Sequence, residues 1–436
     1  MSFPRYPKYK ESGVRWLGIV PAHWRVTPLK SVAWVVNGYP FDANFFDPAE
    51  GYPLVRIRDL GSNTTECRYK GDFVERAAIT TEDLLIGMDG DFNVGRWRGT
   101  GRALLNQRMC CIRSSTPLTV RFLEYALPVP LLEINDLTYS TTVKHLASSQ
   151  VEQTRIALPE NSVELASVCS FLDRETAKID ALIAEQQRLM ELLQEKRQAV
   201  ISQAVTKGLN PDAPMKPSGV EWLGDVPAHW EVTKMKWVAE MQSGHTPDKK
   251  VSAYWENGDI PWVSLNDTGS LKDHDYISDT ANYITQLGID NSSARLLPAR
   301  AVVFSRDATI GRCAITARPM AVSQHFIAWI CGGRILPEYL LLRLRSMTQE
   351  LDRLTTGATL KTIGMPDVRT LVTPLPPFEE QRMIVDSVAE QTSALDELLQ
   401  SVERAICLLH ERRSALISSA VTGNIDVRNV SRSEAA

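Results

Sequence analysis

The chain reads as an α+β protein: two tandemly duplicated mixed α/β domains, separated by two long helices that form an antiparallel intramolecular coiled coil. Three observations predict this. A motif occurs twice about half a chain apart, an apolar seam of long-helix spacing also occurs twice, and the stretches between alternate like strands.

The repeated motif is Ser12-Gly-Val-Arg-Trp-Leu-Gly-Ile-Val-Pro-Ala-His-Trp24. It returns at an offset of 206 as Ser218-Gly-Val-Glu-Trp-Leu-Gly-Asp-Val-Pro-Ala-His-Trp230, differing only at Arg15/Glu221 and Ile19/Asp225. A period of about half the chain signals tandem domains and not a solenoid. His23 and His229 sit in this repeat without a companion at metal-ligand or triad spacing, so Ala-His-Trp is expected to pack or cap.

The seam runs through Leu165, Val168, Leu172, Glu175, Ile179, Leu182, Gln186, Leu189, Leu193, Lys196 and Val200, in alternating steps of three and four. From Ser162 to Lys207 there is no Pro or Gly, and Ala, Leu, Gln, Glu, Lys and Arg dominate, so propensity agrees with the pattern. As one helix this stretch spans roughly 65 to 70 Å at about 1.5 Å per residue, too long a stripe to bury by itself. Its partner is Gln381, Ile384, Val388, Gln391, Leu395, Leu398, Val402, Ala405, Leu409, Arg412 and Leu416, the same series at an offset of 216. Each helix begins at the exit of its own domain, which requires them to run antiparallel. Glu175, Gln186 and Lys196, with Gln391 and Arg412 in the copy, are expected to fix the pairing and register.

Between these landmarks the halves keep a common outline. Gly38-Tyr-Pro matches Gly244-His-Thr-Pro as a turn. Tyr52-Pro-Leu-Val-Arg-Ile-Arg-Asp59 matches Ile260-Pro-Trp-Val-Ser-Leu-Asn-Asp267, each alternating like a half-buried strand. Further strands are expected at Met109 to Arg113, Ala301 to Ser305 and Phe326 to Cys331, with Gln107 and Gln324 at equivalent places before two of them. Helices are expected at Val120 to Leu127 and Pro337 to Thr355. The resulting domains are 1–160 and 209–376, the long helices 161–208 and 377–424, and 425–436 a flexible tail. The Pro-rich run Leu209 to Pro217 connects the first helix to the second domain.

Composition bounds the function. With 436 residues, 44% apolar and 23% charged, there is material for two globular cores. Lacking a long apolar run or a signal-peptide core, the sequence defaults to a cytoplasmic location. Seven Cys without CxxC spacing read as buried free thiols. The net charge of −4 argues against a strongly basic nucleic-acid binder, yet the acidity is local. Residues 1–160 carry 19 Lys and Arg against 17 Asp and Glu, whereas 377–436 carry 6 against 10. DNA contact therefore calls for a local basic surface or help from a partner.

Signatures of catalysis fail on inspection. Gly90 and Gly95 are followed by Arg96 and Trp97, where a phosphate-binding loop needs Gly-Lys-Ser/Thr. Leu375-Pro-Pro-Phe378 has the outline of an amino-methyltransferase loop, but Leu cannot grip the target amine and no Gly-x-Gly cofactor turn lies upstream. Basic and aromatic residues do interleave at Arg96, Trp97, Arg98, Arg102 and Arg108, and in the second half at Lys249, Lys250, Tyr254, Trp255, Arg306 and Arg312. Arg and Lys can clamp phosphates, and Arg can grip guanine bidentately. A solvated loop is the competing reading of each. Divergent loops on a shared framework are what two domains reading different sequences require.

On the duplicated opening, the Pro-x-Val-x-x-x-Asp strand, Gly357-Ala-Thr-Leu-Lys361 ahead of Leu375-Pro-x-x-x-Glu-Glu-Gln-Arg382, and the paired helices, the chain resembles a specificity subunit of type I restriction-modification systems. The resemblance covers residues from about 10 to 424. It implies two target recognition domains, each reading half of a bipartite, asymmetric DNA site. It also implies two modification subunits that carry S-adenosylmethionine and methylate adenine, and restriction subunits that use ATP and magnesium; this chain would hold no cofactor or metal and be no enzyme by itself. The Gly-Ala-Thr element adds Lys361, and Lys144 at its counterpart, to the DNA-binding candidates. In the first half Ser140-Thr-Thr142 and Ser162-Val-Glu164 depart from the family pattern. The alternative is a coiled-coil scaffold whose two heads do not bind DNA.

Overall fold

A computed structural model describes residues 3–137, 144–357 and 361–428. The chain forms two compact units, Met1–Gln186 with Arg404–Ala436, and Gln187–Glu403. The division cuts through both long helices, Ser162–Lys207 and Phe378–Val421, because each unit keeps the start of one helix and the end of the other. Ala420 and Val421 are buried in the first core, beside Trp24; Ile201, Ala204 and Val205 are buried in the second, beside Trp230. Each helix stops at a glycine in the left-handed region, Gly208 at φ +76° and Gly423 at φ +72°, where a side chain is strained.

Both units carry the same antiparallel sheet. In the first the order is Val94–Arg96, Leu84–Gly87, Met109–Arg113, Trp34–Asn37. In the second it is Cys313–Thr316, Ala301–Ser305, Phe326–Cys331, Ala239–Ser243, with Tyr276–Ile277 added outside Cys313–Thr316 in the parallel sense. Continuous apolar strands such as Met109–Arg113 and Ala301–Ser305 lie at its centre and are buried on both faces, as their lack of alternation requires. A second sheet in each unit holds one parallel pair, Tyr52–Val55 with Ala103–Leu105, and Ile260–Val263 with Ala321–Val322.

Three sequence expectations are adjusted by the structure. The strands expected over 52–59 and 260–267 stop at Val55 and Val263 and continue as single 3-10 turns, Ile57–Asp59 and Leu265–Asp267. The cause is the repeated Asp: Asp59 Oδ2 accepts the Arg56 N–H at 2.9 Å and Asp267 Oδ2 accepts the Ser264 N–H at 2.8 Å, folding the chain back. The helix expected over 337–355 breaks into Pro337–Arg345 and Thr348–Leu354, where the Ser346 hydroxyl donates to Arg343 O at 2.8 Å. Lastly, Ile425 to Arg428 are docked: the Asp426 N–H donates to Pro4 O at 2.8 Å, Val427 is buried, and Arg428 lies over the Tyr6 ring. The rest of the expected tail, 429–436, lies outside the described residues.

The seam of the long helices is real but shifted at every second position. Thr176, Ile183, Met190 and Arg197 face inward where Glu175, Leu182, Leu189 and Lys196 were expected, and Thr392, Leu399 and Arg413 replace Gln391, Leu398 and Arg412. Leu182 and Leu398 are each 51% exposed, against 7% for Ile183 and Leu395. At Leu182/Ile183, Leu189/Met190 and Leu398/Leu399 the alternatives are adjacent apolar residues, which periodicity could not separate; at the other shifted positions one polar residue replaces another. Register is held by two ion pairs that are copies at the 216 offset: Asp180 with Arg413 at 2.8 Å, and Asp396 with Arg197 at 2.7 Å. Advancing 17 residues on one helix retreats 17 on the other, which is antiparallel pairing.

Candidate nucleic-acid interface

The parallel strand pair of each unit sends two turns out of the same sheet end. In the first unit these are Arg56 to Asp59 and Asn106 to Arg108, tied by the Asn106 N–H to Val55 O at 3.1 Å. In the second they are Ser264 to Asp267 and Ser323 to His325, tied by the Ser323 N–H to Val263 O at 2.9 Å. The repeated glycine turn seals the same place. A Cβ at Gly38 would lie 1.9 Å from Asn106 O, and at Gly244 2.2 Å from Ser323 O, so only glycine lets the backbones meet.

A carboxylate organises each head. Asp89 accepts from Arg108 Nη1 at 2.8 Å and faces His145 Nδ1 at 2.7 Å. Asp307 faces His325 Nδ1 at 2.8 Å and accepts the Thr362 hydroxyl. The backbone repeats as well: the Gly90 N–H donates to Lys144 O at 3.0 Å and the Ala308 N–H to Lys361 O at 2.8 Å. Thus the residue after the repeated Gln, the Asp that follows the central strand and the residue after the repeated Lys converge in both units.

Six predicted residues fall in or beside these heads. Arg108 is exposed and bonded to Asp89, Lys361 is exposed, and Lys249 lines a cavity of about 500 Å³ beside Gln324 and His325. Lys144 donates to Asn135 O at 2.7 Å and Oδ1 at 3.0 Å, holding the end of helix Pro128–Leu137. Arg306 donates to Gln324 O and Ile363 O, both at 3.3 Å, and so ties the turn at Gln324 to the segment at Ile363. Lys250 is exposed one residue beyond Lys249. The other four lie apart from the paired turns in their contacts. Arg96 pairs with Glu124 at 2.7 Å; with Arg98 it lines a cavity of about 1130 Å³ against Asp173, Asp180 and Arg413. Arg102 pairs with Glu75 and lies 4.6 Å over Phe73, and Arg312 is half-buried after Gly311. Trp97 is buried, and its indole N–H has no partner among the described residues.

Sequence reasoning missed Asp89, His145, Asp307, His325 and Thr362, and the exposed turn residues Arg58 and Asn266. The repeated Gln107/Gln324 and Asp59/Asp267 marked the two turns, but nothing marked which neighbours would meet there. Thr142, Val143 and Ala358 to Leu360, part of the elements ahead of Lys144 and Lys361, lie outside the described residues.

Among the described residues no group of three His, Cys, Asp or Glu side chains could hold a metal. Five of the cysteines are buried, and burial pushes the Cys110 thiol up to about 12, away from any nucleophilic range.

Comparison with known proteins points one way. The family model described as Type I restriction modification DNA specificity domain matches twice, at residues 21–187 and 227–404. The EcoBI specificity subunit of the type I restriction enzyme of Escherichia coli is 29% identical over 428 residues, 94% of this chain and 88% of that protein. The MjaVIII specificity subunit of Methanocaldococcus jannaschii is 22% identical over 99% of both chains. A solved chain from a type I R-M system superposes with a TM-score of 0.67 at 18% identity, over 92% of this chain and 98% of its own, which is likeness of fold.

Proposed function

From the premise that this chain belongs to the type I restriction-modification DNA specificity family, we propose that its two heads read the two halves of one bipartite, asymmetric DNA site. The chain is the DNA sequence-specificity subunit of such a system, non-catalytic by itself, and acts with DNA and partner subunits. The observation that carries the two-head reading is the duplication itself: the same paired turns, Asp-centred and at the same sheet end, bear different side chains in the two units. Identical frames with different side chains are suited to an asymmetric target.

Within this reading Arg108, Lys144, Lys249, Lys250, Arg306 and Lys361 supply the charge at the heads, and Arg96, Arg98, Arg102 and Arg312 the flanking phosphate contacts. The continuous long helices, passing from one unit into the other, set the unread gap. Exposed leucines repeat at the 216 offset, Leu182 with Leu408 in the first unit and Leu398 with Leu192 in the second. A docking surface written twice suits two copies of one partner, here two modification subunits; restriction subunits complete the assembly. S-adenosylmethionine then belongs to the modification partner, and ATP and magnesium to the restriction partner. No helix among the described residues is long and apolar enough to cross a membrane, and we place the complex in the cytoplasm.

The test is to purify the chain with its modification partner and select from a random double-stranded DNA library. Enrichment of one asymmetric sequence with an unread centre supports the reading. Absence of any enriched sequence would sink it in favour of a scaffold.

A further inference from the structure

The two heads differ in the kind of base edge they can hold. At matching places of matching turns the first unit offers Arg58 and Arg108, and the second offers Asn266 and His325. Arg58 is exposed, and its one ion pair among the described residues is a loose contact with the still more exposed Glu66 at 3.6 Å, so its guanidinium is free to turn outward. Arg108 reaches Asp89 with one nitrogen, leaving the rest of its fork for a ligand.

The second head has a built cavity instead. The space of about 500 Å³ is walled by Trp255 and Trp262, whose rings meet edge-on at 5.1 Å, and by the side chains of Asn266, Asn282 and Gln324. Neither Asn266 nor Asn282 makes a side-chain hydrogen bond among the described residues, although each has two donors and an acceptor to place. At its lining the Ser323 hydroxyl is 1% exposed and has no hydrogen-bond partner among the described residues. Such an orphan calls for a polar ligand group.

The chemistry of base edges separates these two sets. Guanine presents two acceptors, N7 and O6, in the major groove and suits the all-donor guanidinium fork. Adenine presents an acceptor and a donor, N7 and N6, and suits a carboxamide, which has one of each. A guanidinium cannot accept from N6, and a carboxamide meets O6 and N7 with only its donor side.

We infer that the first head discriminates through guanines contacted by Arg58 and Arg108, and the second through adenines contacted by Asn266 and its neighbouring amides over the Ser323 cavity. This rests on the two-headed reading above. Lys249, exposed at the rim of the cavity, then holds the adjoining phosphate.

The test selects from the same random library with the whole complex, comparing wild type, Arg58→Ala, Asn266→Ala and Asn266→Arg. Both residues are exposed, and a matched melting temperature verifies folding. Arg58→Ala should relax preference by roughly five- to a hundredfold, the span of one lost bidentate contact, and only at guanine positions of one half-site. Asn266→Ala should do so only at adenine positions of the other, and Asn266→Arg should convert one such position toward guanine. A wild-type complex that selects a bipartite site, but whose variants relax other bases or none, overturns this inference and leaves the two-headed reading standing. A wild-type complex that selects nothing overturns both.

Discussion

The indole Nε1 of Trp24 donates to Glu164 Oε1 at 2.9 Å across 140 residues of chain, and His23 Nε2 sits 2.9 Å from the other oxygen of the same carboxylate. Trp230 and His229 hold Glu380 in the same way, at 3.0 and 2.8 Å. The repeated Ala-His-Trp thus clasps the first turn of the helix that leaves its own unit. The carboxylate also sits where a helix favours negative charge.

Loss of that clasp is expected to loosen one unit at a time. Glu164→Ala leaves a fully buried indole N–H unsatisfied and should cost about 1–3 kcal/mol. Glu164→Gln, which keeps an acceptor, should cost less. Hydrogen exchange should rise around 20–28 in the Ala variant and stay unchanged around 226–234, with Glu380→Ala giving the converse. Equal loosening of both regions would count against local clasps.

The observed seam makes a prediction opposite to the one periodicity favours. Ile183→Ala should destabilise by about 2–4 kcal/mol, in the range of large-to-small core changes, while Leu182→Ala should stay within about 0.5 kcal/mol. Denaturant unfolding monitored by circular dichroism decides it; the reverse order would restore the unshifted seam.

Leu182 is expected to matter for assembly instead. If two modification subunits dock as proposed, replacing Leu182 and Leu408 with Lys should leave folding intact and lower the number bound from two to one, read by native mass spectrometry. Retention of two would place the docking surface elsewhere.

Acid sensitivity follows from Asp83. Burial pushes its carboxyl up, but hydrogen bonds from Arg113 and the Thr80 N–H outweigh this and hold it below the usual range. A depressed folded value means the pair stabilises above the unfolded carboxylate value of about 3.9 and loses that contribution as pH falls further. The stability margin of wild type over Asp83→Asn should therefore be constant from pH 7 to about 5 and shrink below about 4. A margin that grew on acidification would contradict the assignment.

Much of this architecture was legible because it is written twice. The Trp24/Trp230 motif, the two helices and the strands at Met109, Ala301 and Phe326 all emerge from repetition and spacing. The finer choices did not. Whether Leu182 or Ile183 faces inward depends on the partner helix, because both are apolar and one residue apart. Likewise the heads gather Asp89 with Arg108 and His145 through sheet topology, which joins residues separated by 19 and 56 positions. Charge alone drew attention to Arg96, whose fork is occupied by Glu124 and the Glu82 carbonyl.

The central claim, two reading heads spaced by a helical ruler, is tested most directly by lengthening the ruler. Seven residues inserted after Gln187 and seven after Ala405 keep the seam and the Asp180–Arg413 and Arg197–Asp396 pairs in register. Each helix gains about 10 Å. The selected DNA site should keep both half-site sequences and gain up to about three base pairs of unread spacer, at about 3.4 Å per pair. An unchanged spacer, or altered half-sites, would contradict the account.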